Sequence, residues 1–594
     1  RALVEAALQK QGPEQVYLQL ASLEADGQLL RLSDDAWTTP ALAATEAAML
    51  RAADRPQERQ WIAPDALQAA LREGSHLSPE QRGAVAEAAR SDGVSIIEAG
   101  AGTGKTTLAR VIVEASHRSG LRAVGLAPSW VAADELARST GIDSVAIARW
   151  RYDLEQGSAA PLDASTVILV DEAGMAGTRD MAAILAKARD AQAKVVLIGD
   201  RRHLEAVPGA SPLKAVAEVV RRGAILDGVR RQAVDWQRAA SVVMARGDAE
   251  AGLRAYASRD RLELVAGDGA ARDRVIARWT DLRATHGNDV LIITRRNEDS
   301  AALNRSARAV LKAERRITGD DIEVAALDRE DKRVTLALAS GDQVRFSENL
   351  QRLGIRNGNR ATVERIQRDR NGDVRVSFAL EDGRRIEGDW REFARERPGR
   401  TILPPRVVHA YAGTVYAAQG RTADASVVYV GRPTDARELY VALTRHRHDA
   451  HAVVESGRLE AQCRQRQADH RMAPTLTAMR ERLFREARQY REKVNVADYC
   501  ADRAEFARTG RVTLPAPEVA TDAMTHAVLA ARRLREAIAW LDPSRVVIPI
   551  WRLFDRGREV ARELPPKLAT LLDTLRERGQ RARDAYTRGS HYDR

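Results

Sequence analysis

The chain of 594 residues has two cysteines, Cys463 and Cys500, too few and too far apart for a disulfide framework or a thiolate metal site. Such usage fits a reducing cytoplasm. No apolar run reaches the roughly 20 residues that cross a bilayer, and no secretory leader is recognisable, so membrane insertion is not expected. Aromatic residues make up 4%, which gives weight to any that fall inside a motif. Lysine is scarcer than arginine by almost tenfold, nine against 85.

What is present is a globular composition, 44% hydrophobic and 30% charged. The length exceeds a single core, and about three to five domains are expected. The chain opens on Arg1, which predicts a piece of a longer polypeptide. The net charge of +11 is uneven, because residues 456–594 hold 28 Lys/Arg against 19 Asp/Glu. A basic tail implies a nucleic-acid partner or an arginine-rich solvated surface, and both readings stay open.

One of the few lysines falls in the run Ala99-Gly100-Ala101-Gly102-Thr103-Gly104-Lys105-Thr106-Thr107, one residue after apolar Val94-Ser95-Ile96-Ile97. Strand, glycine-rich turn and Lys-Thr opening a helix describe a phosphate-binding loop, whose backbone N–H groups curl around phosphates. Lys105 is expected on the β/γ oxygens and the Thr106 hydroxyl on Mg²⁺, with ATP as the cofactor.

Buried Val/Ile/Leu strands alternate with amphipathic helices from Leu77: strands over 94–98, 122–127, 166–170 and 194–198, helices over 105–119, 130–138 and 179–189. That alternation predicts a parallel sheet covered on both faces. A second such unit starts near 229, with Val290-Leu291-Ile292-Ile293 as a strand. Between 317 and 405 the pattern changes to short alternating strands with turns at Asn357-Gly358 and Asp382-Gly383, the signature of a small inserted β-barrel. The α/β pattern returns over 406–455. Residues 1–76 read as helical with a β-wing, and 456–594 as a basic helical tail.

The strand Val167-Ile168-Leu169-Val170 ends in Asp171-Glu172. At that position one carboxylate holds Mg²⁺ through water and the second orients and deprotonates the attacking water; Asp171 is assigned the first role and Glu172 the second. Asp200 ends the next strand and is expected beside the γ-phosphate. Gln81, in the capping sequence Leu77-Ser78-Pro79-Glu80-Gln81, carries the donor and acceptor that adenine needs. Developing phosphoryl charge also calls for cations. Arg231 and Arg445 both fall in the second unit, so ATP is expected in the cleft between the units. The cluster His446, His448, His451 imitates a metal site but lacks its context.

These blocks in this order resemble a superfamily 1 helicase of the RecD-like branch, from Leu77 to about Arg447. Trp37-Thr38-Thr39 followed by Glu46, the segment from Val229 to Gln237, and Gly341-Asp342-Gln343-Val344-Arg345-Phe346 resemble the helicase portion of MobF-type conjugative relaxases (TraA/TraI/TrwC). The resemblance implies two RecA-like domains, an SH3-like barrel over 317–405, and 5′→3′ movement on single-stranded DNA; a monomer is expected. It also implies relaxosome or type IV secretion partners. Two motifs depart from the family: His203 replaces a glutamine in Gly199-Asp200-Arg201-Arg202-His203-Leu204, and Tyr416-Ala417 replaces His-Lys in Thr414-Val415-Tyr416-Ala417-Ala418-Gln419-Gly420.

Single strands are held by basic grooves with aromatic platforms. Trp130, after Ala127-Pro128-Ser129, is the first candidate for stacking, with Tyr416 and His203 beside it. Thr414 and Gln419 are expected on phosphates or on the link from ATP to DNA. Two other readings remain open: a RecD-like subunit of a repair nuclease, and an ATP-switched DNA-binding or secretion-recruitment module that does not unwind.

Overall fold

The computed structural model describes residues 13–33, 36–56, 58–100, 102–200, 210–328, 331–397, 400–467, 471–489 and 494–515. The chain divides into two units, Arg1–Pro515 and Ala516–Arg594. The second unit, and with it most of the basic tail, lies outside the described residues.

Six parallel strands form the first sheet, in the order Ser144–Ala146, Arg122–Ala127, Thr166–Val170, Lys194–Gly199, Val94–Ala99, Ala224–Leu226. Alternate residues of a strand point to opposite faces, so strands apolar throughout bury both. Val94, Ile96, Ile168, Val170, Val195 and Leu197 enter one core, while Ile97, Val167, Leu169, Val196 and Ile198 enter another against helix Lys105–Arg118. The four long strands and three helices read from the sequence occur within two residues of the expected ends. The three-residue edge strands at 144 and 224 are too short to carry a periodicity.

The wing Leu30–Ser33 pairs with Ala36–Thr38, and Thr39 caps helix Pro40–Ala53 by accepting from the Leu42 N–H. Ala43, Ala47, Met49 and Leu50 of that helix join the first sheet's core.

The second sheet has five parallel strands, in the order Ala412–Thr414, Val290–Thr294, Ala423–Val430, His446–Glu455, Leu262–Val265. An antiparallel five-stranded sheet is inserted between its strands Val290–Thr294 and Ala412–Thr414. Its order is Arg385–Asp389, Val374–Leu380, Arg360–Arg368, Gln343–Phe346, Val407–His409. Three of the chain's six phenylalanines, Phe346, Phe378 and Phe393, meet in its core at centroid separations of 5.3 to 6.2 Å.

The insert is rooted in the second sheet's domain by a buried ion network. Asp342 accepts from Arg308 Nε and Nη2 at 2.8 Å and from the Tyr411 hydroxyl at 2.8 Å. The strand Val407–His409 still pairs inside the insert, so the chain re-enters the parallel sheet at Ala412.

The described residues among 457–510 touch both parallel-sheet domains. Helices Gly457–Arg464 and Leu476–Ala487 pack on the second, where Arg254 pairs with Glu481 at 2.7 Å and Arg488 with Glu250. Further on, the buried Glu46 carboxylate accepts the N–H groups of Val496 and Ala497 at 3.1 and 2.8 Å. Burial holds Glu46 above the usual carboxylate range, with those two N–H groups acting the other way. No helix among the described residues is long and apolar enough to cross a membrane.

Candidate nucleotide site and strand-binding residues

Helix Lys105–Arg118 has no side-chain cap, which leaves its first N–H groups available to an anion. The loop before it is built by close approach. Thr103 Oγ1 donates to the Gly100 carbonyl at 3.0 Å, and Gln81 Nε2 donates to the Thr103 carbonyl at 2.9 Å. Gln81 therefore braces the loop from behind, while its Oε1 accepts the Ser78 N–H in the capping box. Gly102 lies at φ +76°, and a Cβ there would stand 2.5 Å from Arg231 Cβ. Ala101 and His203 lie outside the described residues.

Lys105 Nζ meets Glu172 Oε1 at 2.8 Å. Burial pulls the Lys105 ammonium down, but Glu172, Asp171 and Asp200 outweigh it and leave lysine above its ordinary value. Burial, with the neighbouring Glu172 charge, pushes Asp171 up to about 6. Two carboxylates crowded at a strand end beside one ammonium form a donor set that suits a cation with an anionic ligand. Thr106 is exposed and Thr107 half-buried, on the first turn that follows. Glu172 itself sits at φ +48°, a left-handed conformation rare for a residue with a side chain.

The second sheet's domain completes the cluster. The Arg230 N–H donates to the Gly102 carbonyl at 2.8 Å. Arg231 Nη1 donates to the Thr444 carbonyl at 2.9 Å, and Arg445 Nε to the Val441 carbonyl at 2.8 Å. Burial pulls Arg231 down to about 9, with repulsion from Arg445 adding to it. Burial also lowers Arg445, while Tyr440, Glu172 and Asp200 act the other way. Lys105, Asp171, Glu172, Asp200, Arg231 and Arg445 are thus gathered where the two domains meet.

Two further residues belong to this cluster. The Tyr440 hydroxyl donates to Asp200 Oδ2 at 3.4 Å, and a Cβ on Gly100 would lie 3.2 Å from it. Gln232 Nε2 lies 3.3 Å from the carbonyls of both Thr444 and His446, tying the two arginine-bearing segments together. Their signal in the sequence is their place beside Arg445 and Arg231 in the same blocks.

Trp130 opens helix Trp130–Thr140 at the end of strand Arg122–Ala127 and is half-buried. Thr414 caps helix Val415–Ala418 by accepting the Ala417 N–H, and Tyr416 on that turn is 44% exposed. The Gln419 side-chain amide is buried without a hydrogen-bond partner among the described residues. His446 and His451 are interior and His448 stacks on His286, so the three histidines do not converge.

Residues 76–267 match the AAA domain family. Over 421 residues the chain is 32% identical to the conjugal transfer protein TraA of Rhizobium radiobacter, covering 70% of this chain and 36% of that relative. It is 30% identical over 457 residues to the probable conjugal transfer protein TraA of Sinorhizobium fredii, covering 75% and 39%. A shorter stretch of 133 residues is 35% identical to the multifunctional conjugation protein TraI of Escherichia coli K12, covering 21% of this chain and 7% of that protein. A solved structure of Bacteroides Pif1 bound to ssDNA aligns with a TM-score of 0.43 at 16% identity, covering 64% of this chain and 92% of that one. Motif order and sequence kinship make the chain a relative of the RecD-like superfamily 1 helicases. Within that class its kinship is with the conjugal transfer TraA proteins. It spans a little over a third of the length of those relatives.

Proposed function

We propose that this chain is an ATP-driven motor that moves 5′→3′ on single-stranded DNA, the helicase part of a conjugative relaxase that unwinds plasmid DNA for transfer. The observation that carries it is the junction itself. Lys105, Asp171, Glu172 and Asp200 come from one parallel-sheet domain, while Arg231 and Arg445 come from the other. A site split in this way makes hydrolysis sensitive to the relative position of its halves.

Lys105 and the N–H groups of residues 100–107 would hold the phosphates, and Thr106 with Asp171 would hold Mg²⁺. The metal would offset phosphate charge. Glu172 takes the proton of the attacking water, Arg231 and Arg445 stabilise charge developing on the phosphoryl oxygens, and Gln81 is assigned to the base through the amide hydrogen and lone pair that its Thr103 and Ser78 contacts leave over. Trp130, His203, Thr414, Tyr416 and Gln419 are assigned to the strand. In this reading residues 1–76 are an N-terminal domain, 77–228 and 229–316 with 412–455 the two RecA-like domains, 317–411 an SH3-like barrel that takes in the paired strand Val407–His409, and 456–594 a basic helical region. The protein works in the cytoplasm as a monomer, with relaxosome or secretion proteins as partners.

ATP hydrolysis, measured with and without single-stranded DNA for the wild type and Lys105→Ala, tests the reading. Stimulation by DNA that disappears in the variant is expected. Hydrolysis indifferent to DNA would remove the motor and leave a nucleotide-switched module.

A further inference from the structure

The inserted sheet touches the first parallel-sheet domain at the residue assigned to base stacking. The Arg356 guanidinium lies over the Trp130 ring, 4.0 Å from its centroid, and pairs with the Asp134 carboxylate one turn along the same helix. Beside it, Gly358 at φ +98° passes so close that a Cβ would stand 2.7 Å from Val131 Cγ2. The turn that presents Arg356 is fixed from within its own sheet. Its N–H donates to Asn359 Oδ1 at 2.7 Å, the Asn357 N–H to Asn349 Oδ1 at 2.8 Å, and Arg384 Nη1 to the Gly354 carbonyl at 3.0 Å.

An aromatic face covered by a guanidinium cannot also stack a base. The two ligands are alike in what they ask of an indole: each is a flat π-system, and each gains from the ring's electron-rich face. The guanidinium displaced by a base carries a charge that suits the phosphate attached to that base. We propose that Arg356 is a strand-binding residue of the inserted sheet that occupies the Trp130 face until a single-stranded nucleic acid enters. A base then takes the indole and Arg356 moves to the backbone phosphate. The inserted sheet and the first domain thus hold the strand by exchanging one stacked pair for another. This assignment rests on the single-strand reading proposed above.

The test is a salt series of fluorescence-anisotropy titrations with a labelled oligothymidylate, without nucleotide. It compares the wild type with Arg356→Ala, Arg356→Lys, Trp130→Ala and the double variant Trp130→Ala/Arg356→Ala. One lost phosphate contact lowers the slope of log K against log salt by about 0.7 for a single strand. Arg356→Ala is expected to show that drop, and Arg356→Lys to retain the wild-type slope. Trp130→Ala is expected to weaken binding by a larger factor when Arg356 is already alanine, because in the wild type the new stack replaces an existing one. An Arg356→Ala slope equal to wild type, or a Trp130→Ala penalty equal in both backgrounds, overturns the exchange while leaving the single-strand reading intact. A wild type that binds no strand sinks that reading and this one with it.

Discussion

Gly102 is where the phosphate-binding loop meets the second domain. Its carbonyl accepts the Arg230 N–H at 2.8 Å, and its missing side chain leaves the space that Arg231 Cβ fills. At φ +76° a side chain would also be strained by its own backbone. A methyl group there has to push Arg231 off the junction, while leaving Lys105 on its helix. Gly102→Ala is therefore expected to lower kcat/KM for ATP hydrolysis by at least about tenfold, or roughly 1.4 kcal/mol, measured by steady-state turnover, with a small drop in the unfolding midpoint from the strained backbone. Glu172 has the same character. Its left-handed backbone at the end of an all-buried strand persists because the Lys105 ion pair and the following turn over-determine it.

Helix Pro40–Ala53 shows how a single carboxylate can dock an element. Glu46 is 1% exposed, and its two oxygens accept the N–H groups that open the turn Val496–Tyr499. Because the folded protein holds this carboxyl above its ordinary value, the native state binds more protons than the unfolded chain just above the glutamate range. Wild-type stability credited to Glu46 is then full below that range and declines as pH rises through the raised value. Glu46→Gln removes the titration and one acceptor. The stability gap in favour of the wild type, measured by urea unfolding, is expected to be largest near about pH 4 and to shrink towards about pH 7. Hydrogen exchange at Val496 and Ala497 reads the same docking directly. Glu46 is visible in the sequence only as a residue at a familiar distance from Trp37-Thr38-Thr39, because its partners come 450 residues later and are backbone groups without a side-chain signature. Asp342 is alike: the motif around it is conspicuous, but the ion network that explains it is assembled by tertiary contact. The strands and helices of the parallel sheets are legible because their apolar runs are local. So are Lys105, fixed by its place at the start of the helix after the glycine-rich turn, and Asp171, Glu172 and Asp200, each fixed by its place just past a strand end. Tyr440 and Gln232 escape because nothing in their neighbours says which way they face across a domain boundary.

At the scale of the molecule, contacts run in a circuit. The first domain touches the second at Gly102 and Arg230, the second carries the inserted sheet through Arg308 and Asp342, and the inserted sheet returns to the first at Arg356 and Trp130. A further link is the segment that leaves the second domain at Arg488 and docks on the first at Val496. The eight residue steps between those anchors reach at most about 28 Å when fully extended. A Gly/Ser spacer inserted after Gln489 is expected to leave the thermal midpoint unchanged and to broaden the distance distribution between dyes on the two domains, read by single-molecule energy transfer. The consequence of this crossing is entropic. Two bodies joined by a single hinge gain a wide range of splayed arrangements whenever they separate, and a ligand that draws them together must reverse that gain. A second tie a few residues long denies them most of those arrangements from the outset, so more of the attraction between nucleotide and protein is left for seating the phosphates.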